Sequence, residues 1–335
     1  MATIKDVAEL AGVSSTTVSH VINRTRAVNS QTAARVWAAI ERLKFSPSTL
    51  ARNLRMKSTL TIGVVSDYAG NPFFSEVVAG IEEVCFDHNY SVFLSFSESD
   101  PAKETQVVHN LLRRGVEGLI WQPYQPDAGI TDLAAHVRVP LVTFQRTLPE
   151  WNCDALMTDD GRGGRDVMAH LLGLGHRRIA LVTGETFASH ATQLRERGYR
   201  DALTGAGLPV DESLICLANY TFDGAYAVTQ SLLALASPPT AFFCISDRMA
   251  LGCLAALQDA GLRVPQDASL VGYDNLELLN YVRPRLTTVD HGGRESGRRM
   301  ARRLLERIKD QTLLPEKLVS EPRLLVRETS GPCPK

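Results

Sequence analysis

The 335-residue chain carries 36 Lys and Arg against 37 Asp and Glu, with 44% hydrophobic and 7% aromatic residues, a globular composition that excludes disordered, collagen-like and disulfide-scaffold classes. Its longest apolar runs, such as 249–257 with Gly252 inside, fall short of the ~20 residues a membrane span needs, and no charged-then-apolar leader pattern opens the chain. A cytoplasmic protein of two or three domains with no membrane partner is expected.

Charge is unevenly placed. Residues 1–60 hold nine cations and three anions, a net of +6, so the remainder carries −7. A small basic module on an acidic body suggests that the module meets a polyanion, although a solvated basic face gives the same count. Cys85, Cys153, Cys216, Cys244, Cys253 and Cys333 form no Cys-x-x-Cys pair, and reduced thiols, buried at Cys85, Cys244 and Cys253, are expected rather than disulfides or metal ligands.

In chain order, Thr3 can cap a first helix over 4–11 with Ile4, Val7 and Ala8 on one face, and Gly12 ends it. Ser14 is a natural N-cap for a second helix, in which Val18, Val21 and Ile22 face inward and hydroxyls with His20 face outward. Ala8 is small where two helices cross, Gly12 suits a turn with positive φ, and Val18 fills the space between them, which is helix-turn-helix spacing. A third helix, about 30–43, adds Val36, Ile40 and Leu43. Such helices can also form a protein-binding bundle, but Ser15, Thr16 and Thr17 at a helix start can reach base edges and phosphates. Ser46 and Pro47 then open a short helix through Arg55, marginal in isolation, which could equally be a plain linker.

From Thr61 onward β-branched runs alternate with helical patterns: 61–65, 90–96, 118–121 and 140–144, then a restart at 178–182, 240–245 and 269–273. Two such series predict two lobes of parallel sheet flanked by helices, with a ligand held beyond the carboxyl ends of the strands. The segments there are 67–74, Gln145-Arg146, Asp159-Asp160, 185–195, Ser246-Asp247 and Asp274-Asn275. They are polar with aromatic interruptions, which suits a polyhydroxylated ligand.

The run Ala2-Thr3-Ile4-Lys5-Asp6-Val7-Ala8, then Gly12-Val13-Ser14, Thr17 through Asn23, Ser46-Pro47-Ser48 and Ala51 through Leu54 resembles the lac repressor and galactose repressor family, closest to its purine and ribose repressor branch. The likeness continues through Asn71-Pro72-Phe73-Phe74, Gly175 through Ile179, Ser246 through Ala250, Gly272 through Asn275 and Leu286 through Val289. The resemblance implies a helix-turn-helix headpiece (1–46), a hinge helix and linker (47–60), a two-lobed body like the type I periplasmic binding proteins (61–330) and a tail (331–335). It implies a homodimer on a palindromic double-stranded DNA operator, contacted by Thr3, Ser14, Ser15, Thr16, Thr17, His20, Asn23 and Arg26. Leu54 matches the leucine that wedges open the minor groove, with Arg55 beside it.

For the effector the resemblance implies Asn71, Phe73, Phe74, Arg195, Asp247 and Asp274, with Tyr220 a further candidate for the aromatic wall; the strand-end segments add Gln145, Arg146 and His190, although Gln145 stands where the family usually has an aspartate and Asp160 where an asparagine is usual. Each has an ordinary structural reading as well: core aromatics for Phe73 and Phe74, a salt bridge for Arg195, a helix cap for Asp247 and a turn for Asp274. Ser189 replaces an arginine of the purine-binding member, which argues against a purine. A sugar, sugar acid or sugar phosphate is expected, with Arg146, His190 and Arg195 leaving room for an acidic group. No nucleotide-loop, hydrolase-elbow or zinc-helix motif occurs, so no cofactor, no metal and no catalytic residue are expected. Gly161-Arg162-Gly163-Gly164 could still hold an anion at a helix start, and a sugar-modifying enzyme with an appended helical module is the alternative.

Overall fold

Residues 2–23, 26–45, 58–67, 70–124, 132–134, 137–146, 153–184 and 190–334 are described by the structure, a computed structural model. The chain divides into two compact units, Met1–Thr59 and Leu60–Lys335.

In the first unit, Thr3 and Asp6 cap α1 (Ile4–Ala11) reciprocally: the Thr3 amide donates to Asp6 Oδ2 at 2.7 Å, and the Asp6 amide donates to Thr3 Oγ1 at 3.4 Å. Gly12 closes the helix in the left-handed region, φ 65°. Ser14 Oγ accepts the Thr17 amide at 3.1 Å and starts α2 (Ser15–Asn23). Asn29 Oδ1 takes the Gln31 amide and starts α3 (Ser30–Arg42). Val7, Ala8, Ala11, Val18, Val21, Val36 and Ala39 are buried between the three helices.

The second unit holds three sheets among the described residues, of six, four and two strands, arranged as two lobes. The first lobe is a six-stranded parallel sheet in the order β11-β5-β4-β3-β1-β2, comprising β1 (Thr61–Ser66), β2 (Ser91–Phe96), β3 (Gly118–Trp121), β4 (Leu141–Phe144), β5 (Asp154–Thr158) and β11 (Lys317–Ser320). It is flanked by α4 (Pro72–Asp87), α5 (Pro101–Arg113) and α10 (Gly293–Lys309). In the second lobe β6 (Ile179–Thr183), β7 (Ile215–Leu217), β8 (Ala241–Cys244) and β9 (Ser269–Val271) pair in the order β7-β6-β8-β9, and β10 (Thr288–Asp290) pairs antiparallel with β12 (Arg323–Leu325). Its helices are α6 (Asp160–Gly173), α7 (His190–Gly205), α8 (Phe222–Leu233) and α9 (Asp247–Asp259). Strands β1, β3, β4, β6 and β8 are buried along their whole length, as expected for parallel strands covered on both faces.

Two features differ from the two-series expectation. Strands β5, β7, β10, β11 and β12 carry no long β-branched run, and α10 and β11 return late in the chain to the first lobe, where β11 pairs with β5. The lobes are therefore not contiguous in sequence; the chain passes between them near 159, 291 and 321. The segment expected to be a tail is fastened to the second lobe. The Gly331 amide donates to Ser269 Oγ at 3.0 Å and the Cys333 amide to Leu174 O at 2.9 Å. Cys85, Cys244 and Cys253 are buried and unpaired, and burial pushes the Cys85 thiol up to about 12. Among the described residues no helix is long and apolar enough to cross a membrane.

Candidate functional site

The carboxyl ends of strands from both lobes meet at one cavity of about 480 Å³, within the range of about 300–1,000 Å³ common for small-molecule sites. Asp67 follows β1, Gln122 and Tyr124 follow β3, and Gln145 follows β4; Asn219 and Tyr220 follow β7, Ser246 follows β8, and Asp274 lies just beyond β9. Several non-glycine residues of the lining, Ser99 among them, hold a left-handed backbone: φ is 61° at Ser99, 58° at Gln145, 51° at Asn219, 56° at Tyr220 and 125° at Asp274. Each such residue costs on the order of 1–3 kcal/mol, and their gathering around one cavity makes it the candidate site.

Local sequence explains how the walls are placed. Asn71 Oδ1 accepts the Phe73 amide at 3.1 Å and Pro72 occupies the first turn, so α4 begins at the cavity edge with Phe73 and Phe74 in its opening turn. The Phe73 ring stacks on His291 with centroids 4.0 Å apart. Phe73 and Phe74 are 5% and 4% exposed, so they are core and cavity wall at once. Tyr220 donates to or accepts from Thr192 Oγ1, which holds its ring in place.

A buried charge network forms the floor. Arg195, on α7, donates from Nε to Asp160 Oδ1 at 2.8 Å and from an Nη to Ile245 O at 2.7 Å, lies 3.9 Å from Asp274 Oδ1, and stacks 3.6 Å over the Tyr273 ring. Burial pushes the Asp274 carboxyl up to about 7 against the pull of Arg195. Burial, with Arg195 nearby, holds His291 down at about 3. The neutral form of His291 is favoured, and its Nε2 shares a hydrogen bond of 3.1 Å with Asp274 Oδ1.

Of the residues expected to contact an effector, Asn71, Phe73, Phe74, Gln145, Arg195, Tyr220 and Asp274 line the cavity. Three do not. Asp247 is turned inward, accepting Thr288 Oγ1 at 2.6 Å and the Leu276 amide at 3.0 Å, so it fixes the chain after β9 rather than facing a ligand. Arg146 donates to the Tyr124 carbonyl and lies beside Asp67 and Glu104. His190 is exposed at the first position of α7. The glycine cluster is not an anion cradle either: a Cβ on Gly163 would lie 2.2 Å from Tyr273 Oη and one on Gly164 2.6 Å from Arg195 O, so these glycines permit close packing. Gln122, Tyr124, Asn219, Arg248 and His291 were missed. The strand-end rule applied to 118–121 finds the first two. His291 follows β10, too short to signal itself.

In the first unit the start of α2 presents Thr16 exposed and Ser15, Thr17 and His20 half-buried, with Arg26 exposed nearby in sequence. Thr3 and Ser14 serve as caps. Leu54, Arg55, Ser189 and the side chain of Asn23 lie outside the described residues.

A helix-turn-helix unit joined to a two-lobed body with a ligand-sized cavity defines a ligand-binding regulatory protein. Residues 3–48 match the model of bacterial regulatory proteins of the lacI family, and residues 168–330 match the periplasmic binding protein-like domain. The chain is 36% identical over 329 residues to the ribose operon repressor of Haemophilus influenzae, covering 98% of each. It is 38% identical over 330 residues to the HTH-type transcriptional repressor PurR of Vibrio cholerae, again covering 98% of each. The crystal structure of the lac repressor dimer bound to operator and the anti-inducer ONPF aligns with a TM-score of 0.87 at 31% identity, over 98% of this chain and 99% of that one. The chain belongs to the lacI family, with ribose and purine repressors among its relatives, and is a DNA-binding repressor of that family.

Proposed function

We propose that this protein is a ligand-responsive repressor of a sugar or sugar-acid uptake or catabolic operon. It binds a palindromic operator as a homodimer, because one recognition helix reads only a few base pairs and a dyad pairs two of them. Ser14, Ser15, Thr16, Thr17, His20, Asn23 and Arg26 contact the duplex, Thr3 supports the first helix there, and Leu54 with Arg55 enters the minor groove. The effector sits in the cavity between the lobes. The single observation that carries this reading is that side chains from both lobes, Phe73 and Gln145 on one side and Arg195, Tyr220 and Asp274 on the other, face one cavity. Occupancy is then tied to the angle between lobes, and a coupling of about 1–3 kcal/mol changes operator affinity about 5- to 150-fold.

The test is to incubate the purified protein with sheared genomic DNA at physiological salt and sequence the retained fragments. Enrichment of a palindrome upstream of sugar-uptake or catabolic genes is expected. Retention without a shared palindrome, or a palindrome confined to purine genes, would sink the sugar-operon reading.

A further inference from the structure

We propose that Arg248 is a clasp between the two lobes at the rim of the cavity, aimed by the ring of Phe222 and fastened to the Gly70 carbonyl, and that its release limits how fast a small molecule enters or leaves. The clasp is independent of what the cavity holds. Only its bearing on effector exchange rests on the reading of the cavity as the effector site.

Arg248 is the second residue of α9, in the second lobe, and lines the cavity. Its Nη1 donates to the carbonyl of Gly70 at 3.4 Å, and Gly70 immediately precedes Asn71, the cap of α4 in the first lobe. The hydrogen bond therefore runs from one lobe to the other. The guanidinium carbon lies 5.0 Å from the centroid of the Phe222 ring, and Phe222 opens α8 with 43% of its surface exposed. Local sequence puts that ring beside the arginine. Thr221 Oγ1 accepts the Gly224 amide at 3.0 Å and starts α8, while a Cβ on Gly252 would lie 2.3 Å from the Phe222 carbonyl oxygen, so the glycine lets α9 press against the start of α8. A planar guanidinium can lay its face on a ring and still donate from its edge, which a lysine ammonium cannot do with the same direction.

The geometry is that of a tie that can let go. Gly70 is exposed and Arg248 half-buried, so water competes for both groups, and 3.4 Å is long for an N–H to carbonyl bond. Phe73 also spans the lobes, stacked 4.0 Å from His291, but that contact is buried and involves a residue where the chain itself crosses. Arg248 and Gly70 are 178 residues apart and belong to none of the crossings near 159, 291 and 321. Parting the lobes has to break their bond.

The test is alkylation kinetics on the full chain. Ala191 lines the cavity from α7 and is buried, so Ala191→Cys places a thiol there, and its reaction with iodoacetamide is followed by peptide mass spectrometry. In this background Arg248→Met, which keeps an unbranched stem and removes the donors, is expected to speed alkylation at position 191 about fivefold, the ratio set by one hydrogen bond of ordinary net strength. Phe222→Ala is expected to speed it as well when Arg248 is present but to add nothing to Arg248→Met, whereas Phe222→Tyr, which keeps a ring, leaves it slow. Buried Cys85 reports on the fold and is expected to react slowly in every variant. Equal rates at position 191 with Arg248 and with Arg248→Met overturn the proposal. Additive gains from Phe222→Ala and Arg248→Met overturn it too, because ring and guanidinium would then act separately, and a gain at Cys85 equal to that at position 191 overturns it by placing the effect in the fold rather than at the rim. None of these outcomes touches the effector reading, which the retained operator fragments decide.

Discussion

Glu104 shows how a single residue is read differently in sequence and in space. On the helical wheel of α5 it is an ordinary charged residue, yet in the fold it is wholly buried. Its Oε1 accepts Trp121 Nε1 at 2.8 Å and the Tyr124 amide at 3.1 Å, while Oε2 has no hydrogen-bond partner among the described residues. Burial pushes its carboxyl up to about 6. The native state therefore holds this proton more tightly than the unfolded chain does, so its stabilising effect is full below about pH 4.5 and is lost as pH rises to about 6. Glu104→Gln keeps the acceptor and removes the titration. The stability of the parent relative to this variant should fall by about 1.5 kcal/mol between pH 4.5 and 6.5, measured by denaturant midpoints across that range; parallel curves would refute it. Arg146 makes the same point. Its place after a strand was legible, but its direction, onto the Tyr124 carbonyl, depends on β3 lying beside β4.

At the scale of elements, the caps were largely written in the sequence. Thr3, Ser14 and Gly12 act locally, and a contact between residues two to four apart needs no tertiary information. The pairing of β11 with β5 was not legible, because Lys317–Ser320 alternates exposed and half-buried positions and offers no apolar run. What fixes it is Asp154 on β5, fully buried, which accepts Arg303 Nε at 2.6 Å, Arg307 Nη1 at 2.9 Å and the Glu316 amide at 2.8 Å. One carboxylate thus fastens α10 and the approach to β11 onto the sheet. Asp154→Ala takes the buried anion from Arg307 and leaves Arg303 only the exposed carboxylates of Glu306 and Glu316, and should destabilise the body by about 3 kcal/mol. Urea unfolding of the variant checks this, and a midpoint shift equal to that of an ordinary surface substitution would count against the role.

For the whole molecule, the separation of charge, +6 over residues 1–60 and −7 over the rest, puts the excess positive charge in the part that carries the helix-turn-helix unit, so the proposed DNA binding should be strongly salt-dependent. If each headpiece of a dimer neutralises about three phosphates, binding should weaken on the order of 10³-fold between about 50 and 200 mM salt. Fluorescence anisotropy with a labelled operator over that range measures the slope; a flat response would show that phosphate contacts do not dominate.

The sequence by itself determined the helix-turn-helix unit, the alternating strands and helices of the body, and most of the residues at strand ends, because periodicity, caps and the strand-end rule are local. Only the tertiary structure decided which of those residues face the cavity. Arg195, Arg146 and Asp247 look alike as polar residues near strand or helix starts, but the first lines the site while paired with Asp160, and the other two turn away from it. The cause is physical: a buried charge orients toward the partner that offsets its desolvation, and those partners come from segments distant in the chain, such as Asp160 for Arg195 and Thr288 for Asp247.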